Sequence, residues 1–548
     1  MSWKDTPPED AAKFELWKPK IQAYLDAREA AVPKQYLLPE SKLPPADQLN
    51  VANLPYTSGA MTAEELVITE TGVPQLAKKI ADGDWSSVQV LEAFLKRAVM
   101  GNQLLNFATT FIADDAMERA KELDEIYAKT GKTVGPLHGV PVSIKEHIGF
   151  KGKPMHGGFV SRVDFLATED AVTVRVLKEQ GAVPFVRTNI PQSLMHADSS
   201  NYIVGATKNC LNLKLSAGGS SGGEGSIVGF KGSPVGVGTD IGGSIRFPAA
   251  FNGCYGLRPT SYRVSGLGCG GAGGGQESIK SVMGPISQHV EDLDYFMESY
   301  LGGEPWKYDG TLLVMPWRKV VPSKAITVGI MWNDGVVETQ PGILRGLRFL
   351  KEKLEAQGIK VVDWEPYKVG EIWEESLPLF YADGLKAQLT MLGESGEPIH
   401  PLTRYAFQGC KEGGLTVSEN WAYNRRRDSF RTEYLALMQK RGVDFIVNPV
   451  YWNVTPRLHE TKYWSHTTLW NYLDHPCVAM PTGLFMDPKL DTPQPREFLS
   501  TFDEEIQSLV GDAQDYIGAP LTFQVVGKRY HDEETVAAAK VLDAALKA

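Results

Sequence analysis

Two serines and a lysine carry the reactive chemistry this sequence can offer. Ser220 and Ser244 lie in one glycine-rich stretch, Ser216–Pro259, and Lys145 closes the apolar run P-V-S-I-K. A serine hydroxyl is inert near neutral pH until a base takes its proton. Lysine serves as a base only when neutral, a state favoured by burial. Ser244 stands in I-G-G-S-I-R, where the N–H groups of Ile241, Gly242, Gly243 and Ser244 can converge on one oxygen. Each such donor to a developing oxyanion is worth about 10²–10³ in rate. The stretch is not a flexible linker, because Ile227, Val228, Val235, Val237, Ile245, Phe247 and Phe251 punctuate its glycines. Two other readings stand beside this one. A lone lysine at a strand end is more often a surface charge. G-G-S-S-G at Gly218–Gly222 also fits a G-x-S-x-G nucleophile elbow, with Ser220 acylated and His475 or His531 as base. That elbow needs a strand before it and a helix after it, whereas glycines continue on both sides here.

Three motifs in order resemble the amidase signature family. They are G-P-L-H-G-V-P-V-S-I-K-E at Gly135–Glu146, G-G-S-S-G-G-E-G at Gly218–Gly225 and G-T-D-I-G-G-S-I-R-F-P at Gly238–Pro248. W-K-Y-D at Trp306–Asp309 and M-P-W-R at Met315–Arg318 resemble its fungal acetamidase-like members, with fatty acid amide hydrolases more distant. The resemblance implies an α/β fold with a central mixed β-sheet covered by helices on both faces. It implies hydrolysis of a carboxylic amide, with Ser244 as nucleophile, Ser220 as bridging serine and Lys145 as buried base. Esters and carbamates can use the same machinery. It also implies an Asp240–Arg246 pair, supporting hydroxyls from Ser221 and Thr239, and Leu194 on the substrate channel. Thr239, Ser221 and Leu194 each have an equally ordinary structural reading. A glutamine-hydrolysing subunit of a larger complex and a catalytically dead amidase fold are the family-based rivals.

Bulk properties narrow the rest. The 548 residues carry a net charge of −10, which gives no footprint for nucleic acid or anionic membrane. Five cysteines, none paired at CxxC spacing, favour reduced thiols and a cytoplasmic protein. No secretory h-region and no spanning apolar run are present, unlike the membrane-anchored members of the family. No metal motif is present, and no cofactor is called for. The expected partner is a small-molecule amide, and a homodimer stays open. Cys254 reads as core, and Cys269 is a poor nucleophile candidate.

The elements that must position these residues follow from patterning. Residues 1–60 read as an N-terminal arm, with a helix over Ala11–Arg28 that Pro19 should kink or split. Residues 61–548 read as one catalytic domain. Thr62 with Glu65 forms a capping box, and Ser86 or Ser87 caps a helix over Val88–Arg97. Ala113–Lys129 is a charged helix ending at Gly131. Pro141–Ile144 and Ala182–Arg187 read as strands around a helix at Val172–Gln180. Asp444–Val450, Asn471–Gly483 and Gly518–Gly527 read as late strands. The loop Val264–Glu277 contains G-x-G-x-x-G, but no strand precedes it and no helix follows, so it is not a dinucleotide site.

Overall fold

The computed structural model describes residues 3–548. Thirteen strands are present among them: β1 Ala108–Phe111, β2 Pro141–Lys145, β3 Val183–Thr188, β4 Ser200–Asn201, β5 Gly205–Ala206, β6 Val235–Asp240, β7 Tyr255–Arg258, β8 Val282–Ser287, β9 Thr327–Ile330, β10 Lys360–Asp363, β11 Phe445–Pro449, β12 Cys477–Phe485 and β13 Pro520–Val526. Eleven form one sheet in the order β1-β3-β2-β6-β8-β7-β12-β13-β11-β9-β10, and β4 pairs with β5. The sheet is mixed. β3, β2 and β6 run parallel, as do β11, β9 and β10, while the central pairings are antiparallel.

Successive strand residues face opposite sides of a sheet. On β12, Val478 and Met480 join a core with helix residues Leu347, Leu350 and Leu542. Ala479, between them, joins a second core with Ile227, Phe247 and Ala249. Helices thus cover both faces, giving the α/β architecture expected.

Local signals placed many elements. Thr62 caps Ala63–Glu70 through a capping box with Glu65. Ser86 caps a helix that continues well past Arg97, to Leu105, because its apolar face stays buried that far. Ala113–Thr130 ends at left-handed Gly131. Two expectations fail. The helix Ala11–Ala30 runs unbroken through Pro19. Pro19 and Glu15 are both exposed there, so water can serve the carbonyl that loses its N–H partner. Asn471–Leu473 belongs to the helix Ser465–Leu473, and the strand begins only at Cys477.

The Ala11–Ala30 helix packs on its own chain. Tyr24 Oη donates to Thr109 O at 3.1 Å, and Arg28 Nε to Ala108 O at 2.9 Å. Both carbonyls belong to β1, an edge strand that the arm thereby covers.

Candidate active site

The site forms where two parallel strands end side by side, the usual ligand position in such sheets. β2 pairs with β6 in the register Ser143↔Gly236 and Ile144↔Val237. Continuing that register brings Lys145 beside the end of β6. Lys145 Nζ lies 2.8 Å from Thr239 Oγ1 and 2.7 Å from Ser220 Oγ. The lysine is fully buried. Burial lowers its pKa to about 7, against weaker opposing pulls from Asp240, Cys269 and Glu224. Its two nearest polar partners are hydroxyls, which stabilise an ammonium far less than a carboxylate does.

Ser221 joins the two serine loops. Its N–H donates to Ser244 O at 3.2 Å, and its hydroxyl bonds both the N–H and the carbonyl of Thr239 at 3.2 Å. Ser220 is buried, whereas Ser244 is half-buried and lines a pocket.

Asp240 organises the turn that carries Ser244. Its carboxylate accepts from Gly243 N at 2.8 Å and Ile245 N at 3.1 Å. Arg246 bonds it through Nε and Nη2, both at 3.0 Å, and Asn471 Nδ2 adds a bond of 2.8 Å. Burial opposes ionisation, but Arg246 and Asn471 hold the carboxyl well below its usual range. Arg246 is tied in turn to Thr467 O, Gln524 Oε1 and Asn471 Oδ1. Thr467 Oγ1 donates to Gly242 O at 2.6 Å. The Gly242–Gly243 peptide is thus pinned at both its carbonyl and its N–H.

This pinning corrects one expectation. The Gly243 N–H points at Asp240 and leaves the group of converging donors. The N–H groups of Ile241, Gly242 and Ser244 have no such partner among the described residues. Gly243 is required for another reason: its φ is +130°, and a Cβ would lie 2.4 Å from Phe247 and 2.5 Å from Thr467 Oγ1.

The pocket beside Ser244 is walled by Leu194, Met195, His196, Phe380 and Trp464, among others. Leu194 holds φ +63° just after Ser193 at +62°, a strained left-handed pair. The glycine-rich loop Val264–Glu277 approaches this wall, with Gly271 in range of Leu194. Free space is about 30 Å³, against roughly 10–15 Å³ for one water.

The elbow reading finds little here. A helix, Gly222–Gly229, does follow Ser220, contrary to the sequence argument, but no strand leads into it. His475 Nδ1 bonds Gly527 O, His531 sits half-exposed at a helix start, and Ser220 is bonded to Lys145 instead.

Sequence reasoning overlooked several residues. Glu224, raised to about 8 by burial, accepts from Thr188 Oγ1 at 2.7 Å and from Ser143 Oγ, tying the helix after Ser220 to β3 and β2. A lone carboxylate among glycines was its visible signal. Thr467 and Asn471 share a helix face at i, i+4 spacing, and Gln524 interrupts an apolar strand. Both patterns mark buried polar contacts. Phe380 and Trp464 carried no local signal.

The profile of the Amidase family matches residues 89–536. The chain belongs to that family. An acetamidase of Emericella nidulans is 37% identical over 506 residues, covering 90% of this chain and 92% of its own. An acetamidase of Aspergillus oryzae is 34% identical, again covering 90% and 92%. A solved fatty acid amide hydrolase is 39% identical with a TM-score of 0.96, covering 100% of this chain and 99% of its own. That fatty acid amide hydrolase is therefore as similar as these two acetamidases, contrary to the motif-based expectation. This amidase has the amidase signature fold and is an amide-hydrolysing enzyme. Among its described residues, no helix is long and apolar enough to cross a membrane.

Proposed function

We propose that the amidase cleaves small carboxylic amides through Ser244, Ser220 and Lys145 by way of an acyl-enzyme. Neutral Lys145 accepts the proton of Ser220 as Ser220 accepts that of Ser244. The freed Ser244 oxygen attacks the carbonyl carbon, and the N–H groups of Ile241, Gly242 and Ser244 receive the developing oxyanion. As the tetrahedral intermediate collapses, the proton returns through Ser220 to the leaving nitrogen. Water then enters, gives a proton to the same chain as its oxygen attacks the acyl carbon, and the bond to Ser244 breaks as that proton returns to the Ser244 oxygen, releasing the acid. Thr239 holds Lys145, Ser221 joins the loops, and Asp240 with Arg246 fixes the Ser244 turn. The observation that carries this reading is the buried 2.7 Å contact between Lys145 and Ser220, with no carboxylate bonded to the lysine.

The small free space beside Ser244 and the acetamidase relatives favour a short aliphatic or aryl acyl group, with carbamates and esters open to the same chemistry. The fatty acid amide hydrolase neighbour supports a second reading, a long acyl chain along the apolar walls. A hydrolysis panel of acetamide, benzamide, longer acyl amides and ethyl carbamate separates them. Fluorophosphonate labelling with peptide mapping tests the nucleophile. An adduct on Ser244 is expected, retained at a slower rate in Ser220→Ala. An adduct confined to Ser220 would restore the elbow mechanism.

A further inference from the structure

The geometry points to Thr467 as a positioning residue for oxyanion stabilisation: its hydroxyl fixes the Gly242–Gly243 peptide and thereby the angle between the N–H groups of Gly242 and Ser244. This deepens the proposed mechanism and rests on its assignment of Ser244 as the nucleophile.

The turn divides its backbone groups in two. The carbonyls of Gly242, Gly243 and Ser244 are all taken, by Thr467 Oγ1 at 2.6 Å, Phe247 N at 2.8 Å and Ser221 N at 3.2 Å. The N–H groups of Gly243 and Ile245 go to Asp240. Those of Ile241, Gly242 and Ser244 stay uncommitted among the described residues. These three residues are half-buried and line the pocket, whereas Gly243 is buried.

One peptide controls how two of those donors meet. The N–H of Gly242 belongs to the peptide before Gly242–Gly243, and that of Ser244 to the peptide after it. Rotation about the backbone bonds of Gly242 and Gly243 swings one donor relative to the other, and a pair of glycines resists such rotation less than any other dipeptide. Hydrogen bonds must therefore set the angle. Asp240 holds the N–H edge of the middle peptide, and Thr467 holds its carbonyl edge. The two anchors are joined, because Thr467 O accepts from Arg246 Nη1 at 3.0 Å and Arg246 grips Asp240 through Nε and Nη2. A closed ring of hydrogen bonds surrounds one peptide plane.

Thr467 is fully buried on the helix Ser465–Leu473. Its single hydroxyl hydrogen has two carbonyls in reach, Gly242 O at 2.6 Å and Trp464 O at 3.1 Å. Trp464 O already accepts from Thr468 N at 3.0 Å. Gly242 O has no other donor among the described residues, so the nearer carbonyl is also the one in need. Without the hydroxyl that carbonyl is orphaned, and the peptide turns to find another donor.

Alanine and serine differ by the hydroxyl alone, so Thr467→Ala and Thr467→Ser, assayed on acetamide as full-length enzymes, test this. Thr467→Ser should keep kcat within about threefold of the parent, whereas Thr467→Ala should lower it about 10–100-fold with KM little changed, since a displaced donor acts on the transition state and not on bound substrate. Trifluoroacetone supplies a second readout. Its carbonyl carbon takes the Ser244 oxygen, the carbonyl π pair becomes an alkoxide held where the oxyanion forms, and the serine proton passes to Ser220. Its inhibition constant should weaken in Thr467→Ala by the factor that kcat/KM falls. The pH midpoint of kcat/KM should match the parent, because Lys145 is untouched. Equal activity of the two variants, a loss confined to KM, an unchanged inhibition constant or a displaced pH midpoint would each overturn the assignment. Thr467→Cys, whose thiol is a weaker donor, takes the place of an alanine variant that does not fold, with a smaller loss of the same pattern relative to serine. Ser244→Ala is the separate control: it should stop hydrolysis, and if it does not, the nucleophile assignment fails whatever Thr467 does.

Discussion

Lys145 and Arg246 are both fully buried cations that meet adjacent residues at the end of β6, yet their surroundings are opposite. Arg246 makes two bonds to a carboxylate and further bonds to Asn471, Gln524 and a backbone carbonyl. Lys145 meets two hydroxyls. Adjacent residues on β6 supply the difference: Thr239 gives its hydroxyl to the lysine, and Asp240 gives its carboxylate to the arginine. In a low-dielectric interior, a touching counter-charge decides whether a cation stays charged. Arg246 is a fixed structural charge, whereas Lys145 is the group that exchanges a proton in the proposed mechanism.

The largest expected effect is on the exchanging side. Lys145→Ala should lower amide kcat/KM by about 10³-fold, within the range for a positioned base, and leave the melting temperature near that of the parent. An elbow mechanism predicts almost full activity in that variant. Arg246→Ala should behave in the reverse sense. It strands the Asp240 carboxylate in the core and should cost about 3–5 kcal/mol of stability, measured by denaturant unfolding. Adding Asp240→Asn should return part of the loss. An Arg246→Ala protein of unchanged stability would dissolve the contrast.

The pH dependence sharpens it further. With Lys145 near pH 7 by burial, kcat/KM should climb as pH rises through about 7 and level off above it, because the neutral amine is the active form. Arg246 contributes no step in that window. A profile flat from pH 5 to 9 would argue that Lys145 does not titrate. The smallest effect concerns stability. The lysine's folded pKa lies below its ordinary unfolded value of about 10.4. Between these values the unfolded chain binds more protons than the folded one, so this residue's contribution to stability rises with pH across the window. Relative to Lys145→Met, the parent should therefore gain melting temperature from about pH 7 toward pH 10.

Much of this contrast was legible in the sequence, and the reason is local. The three motifs contain Lys145, Thr239, Asp240, Ser244 and Arg246, and the P-V-S-I run already implied a buried strand ending in lysine. Caps such as Thr62–Glu65 depend on neighbours a few residues away, so their helices were placed well. What escaped notice depends on distant partners. Nothing near Gly243 reveals that its N–H is taken by Asp240 rather than left for an oxyanion, because that outcome requires Thr467 to pin the other end of the same peptide. His196 looks ordinary in S-L-M-H-A-D until His400, 204 positions on, is found stacked against it. Pro19 misled because its solvent exposure, not its identity, set the cost.

The clamp on Arg246 also sets a timetable for the newborn chain. Lys145, Ser220 and Thr239 have all been synthesised before Arg246, but its partners Asn471 and Gln524 follow 225 and 278 residues later. Until β12 and β13 emerge from the ribosome and insert beside β7, the turn bearing Ser244 lacks the contacts that fix it, and a buried arginine has only part of its shell. Such long-range closure is slow compared with helix formation and leaves sheet edges open in the interim. A chain released before residue 471 thus carries Lys145, Ser220 and Ser244, the residues of the proposed mechanism, without the contacts that fix the Ser244 turn.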